Sequence, residues 1–218
     1  MKVYNLIIVD ESGSMSVMHR EAVTGLNETI QTVKASQEKY KDEQKNFVTI
    51  VFFDTTATRT ICDRVLAEDV KEIAMEDYRP CAGTPLYDAI GFSVNNLRKY
   101  VEKGDKVIVT IITDGYENAS REFSGAAIAK LIEELKKEDW LFTYIGANQD
   151  VEQVSKSMNI DNFLAFEQTA KGSSAMFRKF RTSRDRWAAK MGKMKAEDCC
   201  NFFYDDPGNY EDDEKEKK

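Results

Sequence analysis

Val3-Tyr4-Asn5-Leu6-Ile7-Ile8-Val9 is a short apolar run that stops abruptly at Asp10-Glu11-Ser12-Gly13-Ser14. A β-branched run of that length, bounded by a turn signal, reads as a fully buried central strand. Beyond it stand a carboxylate and two hydroxyls at alternate positions, Asp10, Ser12 and Ser14. Gly13, between the hydroxyls, is expected to let the backbone bend tightly so that the three converge. Three hard oxygen donors past the carboxyl end of a buried strand point to a hard-cation site.

The same grammar recurs downstream. Phe47 to Phe53 is a second apolar strand, closed by Asp54-Thr55-Thr56. Val107 to Ile112 is a third, ending at Thr113-Asp114-Gly115. Trp140 to Ile145 follows, closed by Gly146-Ala147-Asn148, and Asn162 to Phe166 is a further strand candidate. Between them lie amphipathic stretches with apolar residues three and four apart. Arg20 to Lys39 carries Ala22, Val23, Leu26, Ile30 and Val33. A helix starting at Leu86 carries Ile90, Val94, Leu97 and Val101, with Pro85 suited to its first turn. Gly125 to Glu138 turns Ile128, Leu131, Ile132 and Leu135 inward, Val151 to Ser157 is a short helix, and Glu167 to about Met194 is a last, basic one. Thr58 to Leu66 alternates polar and apolar residues after a short link, so it reads as an antiparallel edge strand. Residues 67–80 are left between a helical turn and a loop. Strands alternating with helices imply an α/β fold: a doubly wound, mostly parallel sheet with helices on both faces. Ligands of such sheets bind beyond the carboxyl ends of the strands, where neighbouring crossovers take opposite faces.

Composition narrows the function classes. A chain of 218 residues with 42% apolar and 32% charged content is expected to hold one domain, or one domain plus appendages. No apolar run is long enough for a membrane span, and the first residues lack the regions of a secretory signal. Cys62, Cys81, Cys199 and Cys200 are irregularly spaced and read as free thiols of a reducing, cytoplasmic compartment. A net charge of −7 argues against nonspecific nucleic-acid binding. The single histidine, His19, makes a zinc hydrolase or a Ser-His-Asp triad hard to assemble.

The strings DESGS (10–14), GTPL (83–86) and TDG (113–115), each at an element boundary and in this order, resemble the von Willebrand factor A (vWA) domain. The resemblance covers residues 1–168. It implies a Rossmann-like vWA fold and a metal-ion-dependent adhesion site. Carried over, Ser12 and Ser14 are direct hydroxyl ligands, Asp10 and Asp114 supply charge largely through water, and Thr84 ligates directly or through water. Magnesium is the expected ion, with manganese or calcium as substitutes. It keeps an open position for an aspartate or glutamate of a partner protein, because three neutral hydroxyls and two carboxylates leave it electrophilic. The layout implies a bacterial or phage intracellular type, and an ATPase is among the partners the resemblance offers. No Walker string occurs, so the chain is not itself that ATPase. The expected division is 1–168 for the domain, 169–196 for a basic helix on or beside it, and 197–218 for an acidic tail.

Each reading has a plainer counterpart. Asp and Ser after a strand often only cap the next helix. Glu11 reads first as a solvated loop residue, Asp54 as a turn former and His19 as a surface residue. Lys179, Arg181, Arg184 and Arg186 read as the solvated face of a helix packing Phe177, Phe180 and Trp187, ahead of a nucleic-acid face. Asp212 or Glu214 reaching a neighbouring molecule's metal is the remotest option. Two rival functions stand beside metal-gated protein binding. One is a magnesium-dependent phosphohydrolase using Asp10 or Asp114, although Ser12 occupies the place where such enzymes put a second carboxylate. The other is a structural domain with incidental metal.

Overall fold

The computed structural model describes residues 1–147, 149–191 and 202–203. Six strands form one sheet: β1 (Lys2–Asp10), β2 (Lys45–Phe53), β3 (Thr58–Leu66), β4 (Lys106–Thr113), β5 (Trp140–Gly146) and β6 (Asn162–Ala165). Their spatial order is β3-β2-β1-β4-β5-β6. Every pair is parallel except β2 with β3, the antiparallel edge expected from the alternation at 58–66.

The apolar residues of β1 sort by parity, as a strand covered on both faces requires. Val3, Ile7 and Val9 face one hydrophobic cluster with α1 (His19–Lys39) and α5 (Ala170–Lys190). Tyr4, Leu6 and Ile8 face the other, with α2 (Leu86–Arg98), α3 (Gly125–Lys136) and α4 (Val151–Ser157). The chain thus reaches β2 from β1 across one face, through α1. It reaches β4 from the far edge across the other face, through α2. The crossovers part at β1 and β4, and a crevice opens between their carboxyl ends at Asp10 and Asp114.

The irregular 67–80 segment holds two single 3-10 turns, Ala67–Asp69 and Met75–Asp77. Another 3-10 stretch, Gly13–Met18, precedes α1. Leu131 is half-buried rather than fully inward, and Val101 lies beyond the end of α2. In α5, Phe177, Phe180 and Trp187 are buried against the α1 face, and Phe202 and Phe203 join the same cluster. Asn148, Cys199, Cys200, the end of the last helix near Met194, and the acidic residues including Asp212 and Glu214 lie outside the described residues. Among the described residues, no helix is long and apolar enough to cross a membrane.

Candidate metal centre

Three loops meet at the crevice. The first leaves β1. Asp10 is fully buried, its Oδ1 accepts from the Ser12 amide at 2.7 Å, and its Oδ2 accepts from Thr113 Oγ1 at 2.6 Å. Ser12 Oγ and Ser14 Oγ lie 3.2 Å apart. Ser14 Oγ donates to Asp114 Oδ1 at 2.6 Å. Gly13 does not supply the expected bend: its φ is not positive, and a Cβ there would meet Ala82 O at an ordinary 3.6 Å. The 3-10 geometry of Gly13–Met18, close to three residues per turn, curls the hydroxyls round instead.

The second loop, 81–85, is pinned to the first by backbone bonds. The Cys81 amide donates to Glu11 O at 2.8 Å, and the Gly13 amide donates to Ala82 O at 3.1 Å. The Thr84 amide donates to Asn118 Oδ1 at 2.9 Å. A Cβ placed on Gly115 would lie 3.5 Å from Thr84 Oγ1 and 3.9 Å from Ser14 Oγ, so both hydroxyls flank that one glycine. The third loop leaves β4 with Thr113, Asp114 and Gly115. Asp10, Ser12, Ser14, Thr84 and Asp114 are therefore brought together from three loops.

Helix capping does not account for the hydroxyls. Ser12 precedes the 3-10 stretch without a side-chain cap bond, α1 begins after Met18, and α2 begins after Pro85, each uncapped by a side chain. The electrostatics favour a cation. All four carboxylate oxygens of Asp10 and Asp114 accept from neutral donors, and no base pairs with them among the described residues. Burial pushes the Asp10 carboxyl up to about 6, and it raises Asp114 as well. Two desolvated acids beside three hydroxyls, with no resident positive charge, form a donor set that fits a hard divalent ion. The described residues contain no cluster of three or more His, Cys, Asp or Glu side chains able to hold a metal, so any site here depends on hydroxyls.

Sequence reasoning missed four participants. Thr113 orients Asp10, and Tyr78 OH donates to Asp10 O at 2.5 Å from the irregular segment. Gln168, between β6 and α5, donates from Nε2 to Asp114 Oδ2 at 2.5 Å and to Ser14 O at 3.1 Å. Of these, only Thr113 carried a local signal, as a hydroxyl beside a strand-terminal aspartate. Arg59, on the edge strand, is the fourth. It pairs with Glu11 at 2.6 Å, and this corrects the expectation of a solvated glutamate: Glu11 is 1% exposed. The pair, buried on the Glu11 side and half-exposed at Arg59, fastens loop 10–14 to β3, and the Arg79 amide also donates to Glu11. His19 is likewise half-buried, its Nε2 2.7 Å from Tyr78 O. Asp54 is the turn former expected, accepting from the amides of Thr56 and Ala57.

No family model matches the chain, and no curated protein does. Solved structures do match. A von Willebrand factor type A protein from Catenulispora acidiphila superposes with a TM-score of 0.60 at 14% identity, over 84% of this chain and 42% of that one. Proximal thread matrix protein 1 from the mussel byssus, with a zinc-occupied MIDAS motif, gives 0.57 at 14% identity, over 81% and 44%. Manganese-loaded TRAP protein of Plasmodium vivax gives 0.52 at 16% identity, over 77% and 69%. The chain spans less than half the length of the first two. At these identities the likeness is one of fold, and that fold is the vWA domain.

Proposed function

We propose that this chain is a metal-dependent protein-binding module rather than an enzyme. Asp10, Ser12, Ser14, Thr84 and Asp114 would hold one divalent cation, magnesium first and manganese or calcium as substitutes. The observation that carries the reading is the pairing of two buried carboxylates with clustered hydroxyls and, among the described residues, no base. Bound there, the cation would supply an electrophilic position for an aspartate or glutamate of a partner polypeptide.

The chain's own part is positional. Thr113 and the Ser12 amide fix Asp10, and Ser14 and Gln168 fix Asp114. Both acids then present charge without swinging to other partners. The backbone clamp between loops 10–14 and 81–85 keeps Thr84 beside Ser14. The metal-loaded neighbours, zinc in the byssus protein and manganese in TRAP, support a divalent ion at this fold's site. A cytoplasmic setting belongs to the same proposal, with Cys62 and Cys81 as free thiols.

The test is manganese titration followed by electron paramagnetic resonance. One equivalent bound, displaced by magnesium and lost in Asp114→Ala, is the expected result. Absence of binding at millimolar manganese would overturn the assignment. Partner capture in magnesium and in chelator then tests the second half: identical captured sets would remove the metal from recognition.

A further inference from the structure

A groove of about 570 Å³ runs between α1 and α5. Its floor is Gly25 against Phe177, where the two helices approach so closely that a Cβ on Gly25 would lie 2.1 Å from the phenyl ring. Small residues on either side, Thr24, Ser174 and Ala175, keep the groove open above that floor. Its charge is opposite to that of the molecule. Arg20, Lys171, Arg178 and Arg181 line it against Glu21 and Glu28, in a chain of net charge −7.

The basic residues singled out in the sequence are not the ones at issue. Arg184 is buried, and Arg181 pairs with Glu28. Arg20, Lys171 and Arg178 differ. All three are exposed, and none has a side-chain hydrogen bond or ion pair among the described residues. They come from two helices that begin a few residues past Ser14 and Gln168 in the chain. Arg20 is six residues past Ser14, and Lys171 is three past Gln168, whose amide rests on Asp114.

We propose that the groove is the second half of the partner surface and takes an acidic stretch of the same polypeptide that offers its carboxylate to the metal. The proposal rests on the metal-dependent reading above. Two observations select this occupant: positive charge that is unpaired among the described residues, and the short stretch of chain that ties each lining helix to the crevice, from Ser14 to Arg20 and from Gln168 to Lys171. Seven helical steps, Lys171 to Arg178, rise about 10 Å, and an extended peptide covers that distance in about three residues. One short acidic segment therefore reaches from the metal centre across all three free cations.

The experiment is fluorescence anisotropy of labelled decaglutamate with the full chain, in magnesium and in chelator, at physiological salt. R20Q/K171Q/R178Q is expected to bind at least tenfold more weakly. K99Q/K103Q/K130Q removes the same charge from exposed positions on α2, α3 and their flanks, and is expected to bind as the parent does. If chelation abolishes binding while the groove variant binds like the parent, the groove proposal falls and the metal reading stands. If the groove variant weakens binding and chelation changes nothing, the groove stands and the metal reading falls. Failure of the parent to bind at millimolar peptide overturns the proposal. So does a tenfold gain on neutralising Glu211, Asp212, Asp213 and Glu214, which would give the groove to the chain's own acidic residues.

Discussion

Ser14 Oγ and Asp114 Oδ1 are joined by a 2.6 Å hydrogen bond although 100 residues separate them in the chain. The bond closes the crevice between β1 and β4, and both atoms are candidate ligands. Ser14→Ala deletes one donor and leaves Asp114 with Gln168 alone. Because Ser14 is exposed, the fold is expected to lose no more than about 1 kcal/mol. Manganese affinity should fall at least tenfold. Paired calorimetric titrations and thermal melts check the two effects separately, and equal losses in both would mean a folding defect.

Metal-free stability should depend on pH through Asp10. Its unfolded carboxyl titrates near 3.8 and its folded one near 6, raised chiefly by burial. Below the lower value the group is neutral in both states and the fold is spared any cost. As the pH rises through the upper value the folded protein must hold a buried anion, and stability is lost. At about 1.4 kcal/mol per unit the loss is about 3 kcal/mol. Asp114, raised in the same direction by burial, adds to it. Melts in chelator from pH 4 to 7.5 should show a fall that is smaller in Asp10→Asn, and magnesium should restore the high-pH arm.

The seam between α1 and α5 tolerates no side chain at Gly25. Gly25→Ala drives a methyl into Phe177. Overpacking of this kind costs about 1–3 kcal/mol, read as a lower denaturation midpoint. Adding Phe177→Leu should recover part of it, since the three nearest atoms in the conflict all belong to the Phe177 ring.

Arg184 is the least comfortable residue of the core. It is buried, its Nε and Nη1 have no hydrogen-bond partner among the described residues, and it donates to Asn5 on β1. Burial lowers its pKa to about 10. Exchanging the pair for apolar residues of similar size, Arg184→Met with Asn5→Val, should stabilise the fold, by less than the about 1–4 kcal/mol of a replaced buried ion pair because the Asn5 Nδ2 bond to Phe47 O is lost as well. Arg184→Met alone strands the Asn5 carbonyl and should gain less. Urea unfolding of the two variants distinguishes the cases.

The strands and helices were legible because their burial is written in period: two for the edge strand at 58–66, continuous for β1 and β4, between three and four for the helices. Asp10, Ser12, Ser14, Thr84 and Asp114 were legible because each stands at an element boundary. What supports them was not. Thr113 shows only as a hydroxyl beside a strand-terminal aspartate, and nothing local distinguishes Tyr78, which reaches the Asp10 carbonyl from the irregular segment, from any other tyrosine. Gln168 meets Asp114 only after β6 has been laid beside β5. Glu11 was misread because its partner, Arg59, arrives across the sheet edge, and a charge looks solvated until its counter-ion is placed. The arginines of the last helix show the same limit. One residue of the run is in the core and another is tied to α1, a division that composition cannot express.

The start of β1 lies at the opposite end of the sheet from Asp10. The Met1 ammonium donates to Glu43 O at 2.9 Å there, and nine strand residues separate that end from the crevice. At about 3.3 Å each they span about 30 Å. A dye, bead or carrier coupled through the amino terminus would therefore sit on the blunt side of the molecule. Immobilised that way, the protein would present its three-loop rim outward to whatever is flowed past it.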